Sequence, residues 1–289
     1  MDTVFLNGAF LPVAAARISP LDRGFLFADA VYEVIPVYGS RLFLWTPHYA
    51  RLERSLAALD LKNPYRESDW HRLLAHLIEV NGGGDLSVYL EVTRGTEPVR
   101  DHRIPADLAP TVFALTQPAL PPDPALEAQG MTVVLRPDFR WQRCDIKSTA
   151  LLANVLLRES AREVGAGEAL LVRDGCVLEG TSSNVLALHG NTVSSPPDGP
   201  LLLAGVTRDL VLELAEQSGF RTRRRTLTAD DLGTAHEVWL TSTRRILAPV
   251  TRIEGRPVGS GRPGPAYQRI RAAFQKRLQA FLEAPPPSA

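Results

Sequence analysis

Lys147 is one of very few lysines in a chain of 289 residues whose basic side chains are almost all arginine. It directly precedes a helix predicted over residues 149–164, which carries an apolar stripe at helical spacing. We expect this lysine to lie beside buried structure, because desolvation lowers the pKa of an ammonium group and produces the amine nucleophile that a Schiff base requires. The alternative is a surface lysine whose aliphatic stem covers apolar side chains.

A carboxylate, Glu179, is predicted at the end of a strand and is followed by small hydroxyl residues and Asn184. An acid in this position can keep a pyridine nitrogen protonated, and the protonated ring then accepts electrons from a substrate carbon that has lost its proton. The segment fits an ordinary turn equally well, because Gly180, Ser183 and Asn184 are turn-forming residues.

Groups that could bind a phosphate occur elsewhere in the chain. A helix predicted over residues 207–218 begins with free amide groups and the Thr207 hydroxyl, which together form an anion site. Arg51 lies in a helix predicted over residues 47–61 and could add a charged contact. Further hydroxyls end a predicted strand at residues 241–243. Helix starts and strand ends often carry such residues, so each signal is weak alone.

Arg100 and His102 occupy a predicted loop. An arginine and a histidine at this spacing can converge on one carboxylate if the loop is extended. The alternative for both side chains is an exposed, solvated charge.

Composition limits the molecules that such a site can serve. Apolar residues make up 45% of the chain and the formal net charge is zero. The chain can therefore bury a substantial core but has no broad basic face for nucleic acid or an anionic membrane. The start of the sequence lacks a signal-peptide pattern and no apolar run is long enough to span a bilayer, so we expect a cytoplasmic protein with small-molecule partners. Cys144 and Cys176 suit neither a disulfide framework nor a metal site, and we expect two ordinary thiols and no metal.

The elements that must position these residues fall into two domains. In the first, hairpins are predicted over residues 5–13 around Asn7-Gly8 and over residues 31–44 around Gly39-Ser40, with Pro36 indicating an edge or bulge position. Helices are predicted over residues 47–61 and 70–80, and strands over residues 86–93 and 111–115.

A proline-rich segment separates this domain from the second. We predict an N-terminal domain over residues 1–118, an inter-domain linker over 119–127, a C-terminal domain over 128–284 and a disordered tail over 285–289. The C-terminal domain is predicted to hold strands at residues 131–136, 169–173, 184–188 and 237–240, and helices at residues 149–164, 207–218 and 266–282.

Taken together, these segments resemble the fold-type IV pyridoxal-phosphate enzymes, a family that includes D-amino-acid transaminases, branched-chain aminotransferases and aminodeoxychorismate lyases. The resemblance implies an α+β, two-domain fold with a small N-terminal α/β domain and a larger C-terminal cofactor-binding domain that has a β-barrel-like sheet core. It also implies a homodimer, because the sites of this family form at a subunit interface. The segments that carry it, in the family's order and spacing, are residues 23–25, 29–34, 140–141, 143–148, 179–184, 205–208 and 241–243.

The same resemblance implies a role for individual residues. It makes Lys147 the Schiff-base lysine and proton carrier, and Glu179 the partner of the pyridine nitrogen of pyridoxal 5'-phosphate. The other implied cofactor contacts are the phosphate ligands Arg51, Val206, Thr207 and Thr243, the neighbouring Ser242, the ring-face residue Leu203, and Ser183 and Asn184 around them.

Within the family, the D-amino-acid transaminases match best. Arg100 and His102 fall where those enzymes trap the α-carboxylate of the substrate, assisted by Tyr32. The implied reaction is a ping-pong transamination in which D-alanine and 2-oxoglutarate give pyruvate and D-glutamate.

Two departures from the family pattern occur: residues 28–30 are Ala-Asp-Ala instead of the more usual Gly-Asp-Gly, and Val99 is an extra residue before the Arg-x-His loop. Rival functions on the same scaffold are a branched-chain L-amino-acid transaminase and an aminodeoxychorismate lyase, which lack that loop. Retention of Lys147 and Glu179 disfavours a protein that keeps the fold without the chemistry. A dinucleotide-binding dehydrogenase is disfavoured because no GxGxxG motif follows a strand and opens a helix.

Overall fold

A computed structural model describes residues 2–119, 121 and 123–285 of the chain. Contacts divide it into two units, and the first combines the chain up to residue 119 with a later segment, Ile146–Leu151. The second contains Pro121–Asp145 and the chain from Leu152 onward. The sequence predicts one boundary at residues 119–127, and it does not predict the return of Ile146–Leu151 to the first unit. Residues 120 and 122 of the predicted linker and residues 286–289 of the predicted disordered tail lie outside the described residues.

The first unit contains six strands and three helices among its described residues. The strands form one antiparallel sheet, and apolar side chains of its two longer helices share a core with it, including Leu52, Trp70 and Val88. The elements are β1 (Thr3–Leu6), β2 (Ala9–Pro12), α1 (Arg23–Phe27), β3 (Ala30–Tyr38), β4 (Arg41–Leu42), α2 (Trp45–Ala58), α3 (Glu67–Val80), β5 (Leu86–Thr93) and β6 (Thr111–Pro118). The sheet order is β2-β1-β6-β5-β3-β4.

Both predicted hairpins of this unit are confirmed, and their turns explain why they form. Asn7 and Gly8 have φ values of 48° and 92°, and Gly39 and Ser40 have values of 54° and 64°. Positive φ at both central residues is typical of a type I′ turn, whose twist matches that of the adjoining strands. The expected edge or bulge position of Pro36 is wrong, because β3 lies between β5 and the edge strand β4 and pairs with β5 without a register shift.

The second unit is built on a ten-stranded mixed sheet. Its elements are α4 (Pro124–Gln129), β7 (Met131–Pro137), α5 (Leu152–Glu163), β8 (Glu168–Arg173), β9 (Cys176–Gly180), β10 (Asn184–His189), β11 (Thr192–Ser195), α6 (Val206–Gln217), β12 (Arg221–Arg224), β13 (Leu227–Thr228), α7 (Ala229–Thr234), β14 (Glu237–Ser242), β15 (Ile246–Ile253), β16 (Arg256–Pro257) and α8 (Pro265–Glu283). The main path of the sheet is β12-β11-β10-β14-β15-β7-β8-β9-β13, and β16 pairs with β15. Within the described residues, no helix is both long and apolar enough to span a membrane.

Three features of the second unit differ from the predictions. Residues 124–127, predicted as linker, belong to α4, because Asp123 accepts hydrogen bonds from the first amides of that helix and Pro124 fits its first turn. Helix α5 begins at Leu152 and not at residue 149. Its apolar stripe, expected to be buried, is exposed at Leu152, Val155 and Leu156.

Ala28 ends helix α1 in the left-handed region, with φ 55° and ψ 30°. This conformation explains why glycine is usual there and costs an L-residue about 1–2 kcal/mol. We expect Ala28→Gly to raise the free energy of unfolding by about 0.5–1 kcal/mol, after the greater chain entropy of glycine is subtracted. Urea unfolding measures this change.

The matched control is Ala75→Gly, an exposed position in the middle of α3. Because Ala75 is helical, this substitution should lower the free energy of unfolding by about 1 kcal/mol. A loss of stability at both positions would contradict the account of Ala28.

Candidate active site

Backbone hydrogen bonds tie the segment around Lys147 to strand β3. Ser148 forms an antiparallel bridge with Val31. The amide of Tyr32 donates to the carbonyl of Lys147 at 2.9 Å, and the amide of Lys147 donates to the Ser55 hydroxyl at 3.2 Å. Because both backbone groups of Lys147 are bound within the first unit, the sheet fixes the direction in which its side chain leaves the backbone.

The Lys147 side chain lies against an aromatic residue of β3. Its Nζ is 4.2 Å from the centroid of the Tyr32 ring, which stacks on Tyr89 with centroids 5.7 Å apart. In the part of the chain that the structure describes, no carboxylate forms an ion pair with Lys147. The aromatic face attracts the ammonium group and so fixes the position of the Lys147 side chain.

A buried ionic cluster begins at Glu33, the next residue on β3. Arg51 binds both carboxylate oxygens of Glu33, with Nε–Oε1 at 2.7 Å and Nη2–Oε2 at 2.8 Å, and His48 Nδ1 lies 2.8 Å from Oε2. Burial alone would raise the pKa of Glu33, but Arg51 and His48 lower it well below its ordinary value. Burial also lowers the pKa of His48, which is therefore neutral and donates through Nδ1. Glu33 thus orients Arg51, the residue that the resemblance assigns to a phosphate.

Glu179 is the penultimate residue of strand β9, and both of its carboxylate oxygens have hydrogen-bond partners. Oε1 accepts a hydrogen bond from Arg140 Nη1 at 2.5 Å, and Oε2 accepts from Asn184 Nδ2 and the Leu203 amide, both at 3.1 Å. Burial raises the pKa of Glu179, and the guanidinium of Arg140 opposes that rise. The result is a buried carboxylate that is more basic than an exposed one and suited to share a proton with a ring nitrogen.

Arg140 is in turn held by further buried charges. Its Nε donates to Asp138 Oδ1 at 2.9 Å, and Arg173 Nη2 lies 3.0 Å from Asp138 Oδ2. Charges therefore alternate in sign from Glu179 through Arg140 and Asp138 to Arg173. Because each buried charge faces an opposite one, the desolvation cost of every member is offset by its neighbours.

Asn184 connects several predicted site segments of the second unit. Its Nδ2 donates to Glu179 Oε2 and also to the Leu203 carbonyl at 2.8 Å, and it pairs with Thr241 between β10 and β14. A Cβ on Gly205 would lie 1.9 Å from Asn184 Oδ1. Only glycine fits there, so the N-terminus of α6 lies next to the residues that hold Glu179.

The groups around the start of α6 include several that lack partners. Gly205 is the N-cap of α6 and offers no side chain to bind its first amides. Within the described residues, the hydroxyls of Ser183 and Thr241 are buried without a hydrogen-bond partner. A bound anion is the natural partner for such an uncapped helix start and hydroxyl pair. The remaining predicted contacts in these segments are Val206, Thr207, Ser242 and Thr243.

Arg100 and His102 lie in the segment between β5 and β6 and both contact Phe27. The Arg100 Cζ is 4.8 Å from the centroid of the Phe27 ring, and the imidazole centroid of His102 is 5.1 Å from it. No hydrogen bond or ring contact among the described residues joins either of them to Tyr32 or Lys147. The structure therefore brings Arg100 and His102 together, but does not bring them to Tyr32. The extra residue Val99 is exposed.

The two cysteines are unpaired, as predicted. Burial raises the pKa of the Cys144 thiol to about 11, so this residue is an unreactive thiol at neutral pH. The described residues hold no group of three or more His, Cys, Asp or Glu side chains arranged to bind a metal ion.

Sequence reasoning gave no role to Glu33, His48 or Asp138. A signal for Glu33 exists, because it alternates in phase with Val31 and Ile35 on the buried side of β3. An acid at such a position predicts a buried ion pair. Asp138 carries no comparable signal, since it follows the last residue of β7 in an irregular segment.

Comparison with known proteins relates the chain to a single family. The family model described as amino-transferase class IV matches residues 30–253. A D-alanine aminotransferase of Bacillus licheniformis is 40% identical over 275 residues, which are 95% of this chain and 96% of that protein.

Solved structures show the same fold. The branched-chain amino acid aminotransferase of Escherichia coli matches with a TM-score of 0.88 at 22% identity, covering 95% of this chain and 94% of that one. The branched-chain aminotransferase of the thermophilic archaeon Thermoproteus uzoniensis, solved with norvaline, matches with a TM-score of 0.86 at 23% identity, covering 97% and 96%. At this identity the likeness is one of fold alone, and it confirms the predicted two-domain α+β architecture.

The pairing of Arg140 with Glu179 predicts an asymmetric response to two nearby substitutions. Arg140→Met leaves the buried carboxylates of Glu179 and Asp138 without their shared cation, and we expect it to lower the free energy of unfolding by about 3–5 kcal/mol. Arg143→Met removes only a solvent-exposed pair with Asp145, and we expect it to change stability little. Urea unfolding of both variants at one pH measures the difference, and equal small losses would contradict the proposed charge compensation.

Proposed function

Because the chain belongs to the class IV aminotransferase family, we propose that it transfers amino groups between D-amino acids and 2-oxo acids. The model reaction is D-alanine with 2-oxoglutarate, which gives pyruvate and D-glutamate. The observation that carries this choice is the 40% identity to a D-alanine aminotransferase along nearly the whole chain. The branched-chain alternative has less support, because likeness to those enzymes at 22–23% identity extends to the fold alone.

Pyridoxal 5'-phosphate is the cofactor of this family, and the residues present fit it. When bound, its protonated pyridine ring takes up the electron pair left on the substrate Cα after proton removal. Glu179 is placed to hold a proton on the ring nitrogen, because it is buried and its pKa is raised. The unpartnered hydroxyls and the uncapped start of α6 suit the phosphate, with Thr207 and Thr243 as the predicted hydroxyl ligands and Arg51 as the cation.

Lys147 has two tasks in this proposal. Its Nζ would hold the cofactor covalently, and when a substrate amine takes its place the same Nζ would remove the proton from the substrate Cα and hold it for return. Tyr32 supports both tasks, because its ring contacts Nζ, which lies 4.2 Å from the ring centroid. Because amino donor and 2-oxo acid acceptor use the same groups in turn, the kinetics are ping-pong.

Arg100 and His102 bind the α-carboxylate of the substrate, with Tyr32 assisting, and so select the hand of the amino acid. The support for this role is the mutual proximity of the arginine and the histidine beside Phe27. An arginine suits it because its planar guanidinium binds both oxygens of a carboxylate at once.

The chain acts as a homodimer in this proposal, and it works in the cytoplasm, where its cofactor and 2-oxo acids are metabolites. Support for self-association comes from α5, whose Leu152, Val155 and Leu156 are exposed by 72%, 60% and 53%. Their spacing places them on one apolar stripe, which a second subunit can cover. Light scattering should give twice the 31.6 kDa mass of one chain.

The test of the proposed function is the formation of 2-oxo acid by the purified protein with added pyridoxal phosphate. We expect pyruvate from D-alanine with 2-oxoglutarate, and little product from L-leucine with 2-oxoglutarate. Lys147→Ala should abolish measurable turnover because it removes the only group assigned to proton transfer, whereas Lys62→Ala, at an exposed lysine, should leave it unchanged.

Activity on L-leucine alone would leave the family assignment and the role of Lys147 intact, but it would contradict the role of Arg100 and His102 in binding the carboxylate of a D-amino acid. Full turnover by Lys147→Ala would overturn the assignment of the lysine itself.

A further inference from the structure

The first turn of α1 holds the backbone of the segment that presents Arg100 and His102. Arg23 is only 4% exposed. Its Nη1 donates to the carbonyls of Asp101 and Arg103 at 2.7 and 3.3 Å. These two carbonyls alternate with Arg100 and His102 along the chain, so Arg23 fixes the backbone on both sides of the histidine.

The same helix also contacts the side chains of the pair. The Phe27 ring lies 4.8 Å from Arg100 Cζ, 4.9 Å from Arg23 Cζ and 5.1 Å from the centroid of the His102 ring. Contacts between guanidinium groups and an aromatic face are attractive. Residues 97–103 form neither helix nor strand, so the contacts with Arg23 and Phe27 replace the ladder hydrogen bonds that would otherwise fix the two side chains.

Helix α1 is short, yet its own position is rigid. Asp22 caps it, accepting from the Gly24 amide at 2.8 Å and from the Thr111 hydroxyl at 2.6 Å. The Arg23 amide donates to the Gly95 carbonyl at 2.9 Å, and Arg23 Nε binds Asp29 at 2.9 Å. Helix α1, which contacts Arg100 and His102, is therefore hydrogen-bonded to the residues at the end of β5 and the start of β6.

We infer that Arg23 and Phe27 are positioning residues that hold Arg100 and His102 in the geometry needed to bind the α-carboxylate of donor and acceptor. Neither residue contacts the substrate in this role. The inference rests on the proposed function of Arg100 and His102. It adds that two residues of α1 control the affinity for substrate by positioning these side chains.

Phe27→Leu tests this inference. It should raise KM for both D-alanine and 2-oxoglutarate by about 5- to 30-fold, since contacts with two substrate-binding groups are lost, while kcat changes by less than about twofold. Phe27→Tyr keeps the aromatic face and should restore KM to the wild-type value. The matched control is Phe220→Leu, which removes a ring contact with Arg269 of the same kind in the second unit and should leave KM unchanged.

KM is the informative quantity because it does not depend on the amount of folded enzyme. A purely structural role for Phe27 would lower apparent kcat and the thermal midpoint and leave KM unchanged, and that result would overturn the inference. If Phe27→Leu yields no folded protein, Arg23→Lys carries the test, since it keeps the charge beside Asp29 but cannot donate to both carbonyls.

A double-mutant cycle separates failure of this inference from failure of the proposed function. In an Arg100→Ala background, Phe27→Leu should raise KM by much less than it does in the wild type, because most of its effect passes through Arg100. Additive effects would overturn the inference alone. If Arg100→Ala leaves KM for D-alanine unchanged, the assignment of Arg100 as a carboxylate ligand fails, and the inference falls with it.

Discussion

The backbone bridge between Val31 and Ser148 determines where the Lys147 side chain lies. It joins β3 to a segment more than a hundred residues further along the chain and aligns Lys147 with Tyr32 through a 2.9 Å hydrogen bond. Successive residues of a strand point to opposite sides. Tyr32 therefore supports the amine of Lys147, while Glu33 points the other way and binds Arg51. A shift of one residue in this register would exchange the two environments and destroy both.

Charge compensation is the second constraint, and it acts separately in the two units. In the first, Glu33 is neutralised by Arg51, and His48 is kept neutral by burial. In the second, Arg140 is shared between Glu179 and Asp138. Buried carboxylates are costly unless they are paired, and breaking one pair leaves the whole cost of the orphaned charge. These residues therefore stabilise one another, and under the proposed function they also supply the electrostatics for a cofactor ring and its phosphate.

Local patterns in the sequence predict much of this architecture. The turns at Asn7-Gly8 and Gly39-Ser40 predict both hairpins, and Gly205 with Thr207 predicts the start of α6 to within one residue. β15 escapes prediction because Pro249 lies inside it. The structure tolerates this proline because pairing with β7 begins only at the next residue, Val250, opposite Met131.

The features that the sequence does not reveal are mostly contacts between residues that lie far apart along the chain. Arg51 and Glu33 are 18 residues apart, and Arg140 and Glu179 are 39 apart. The alternation along β3 marks Glu33 as buried, but no periodic signal identifies the partner in either pair. The return of Ile146–Leu151 to the first unit depends on hydrogen bonds to β3 that no local pattern encodes. Resemblance to a family identifies Lys147 and Glu179 as candidates, whereas the network that orients Glu179 becomes visible only in three dimensions.

The most direct test of the account is to identify the lysine that bonds the cofactor. The protein is loaded with pyridoxal phosphate, reduced with borohydride to make the bond permanent, digested with protease and analysed by mass spectrometry. The account predicts the added mass on the peptide that contains Lys147 and on no other. Stoichiometric labelling of Lys62 or Lys276 with Lys147 unmodified, or no stable label at all, would contradict it.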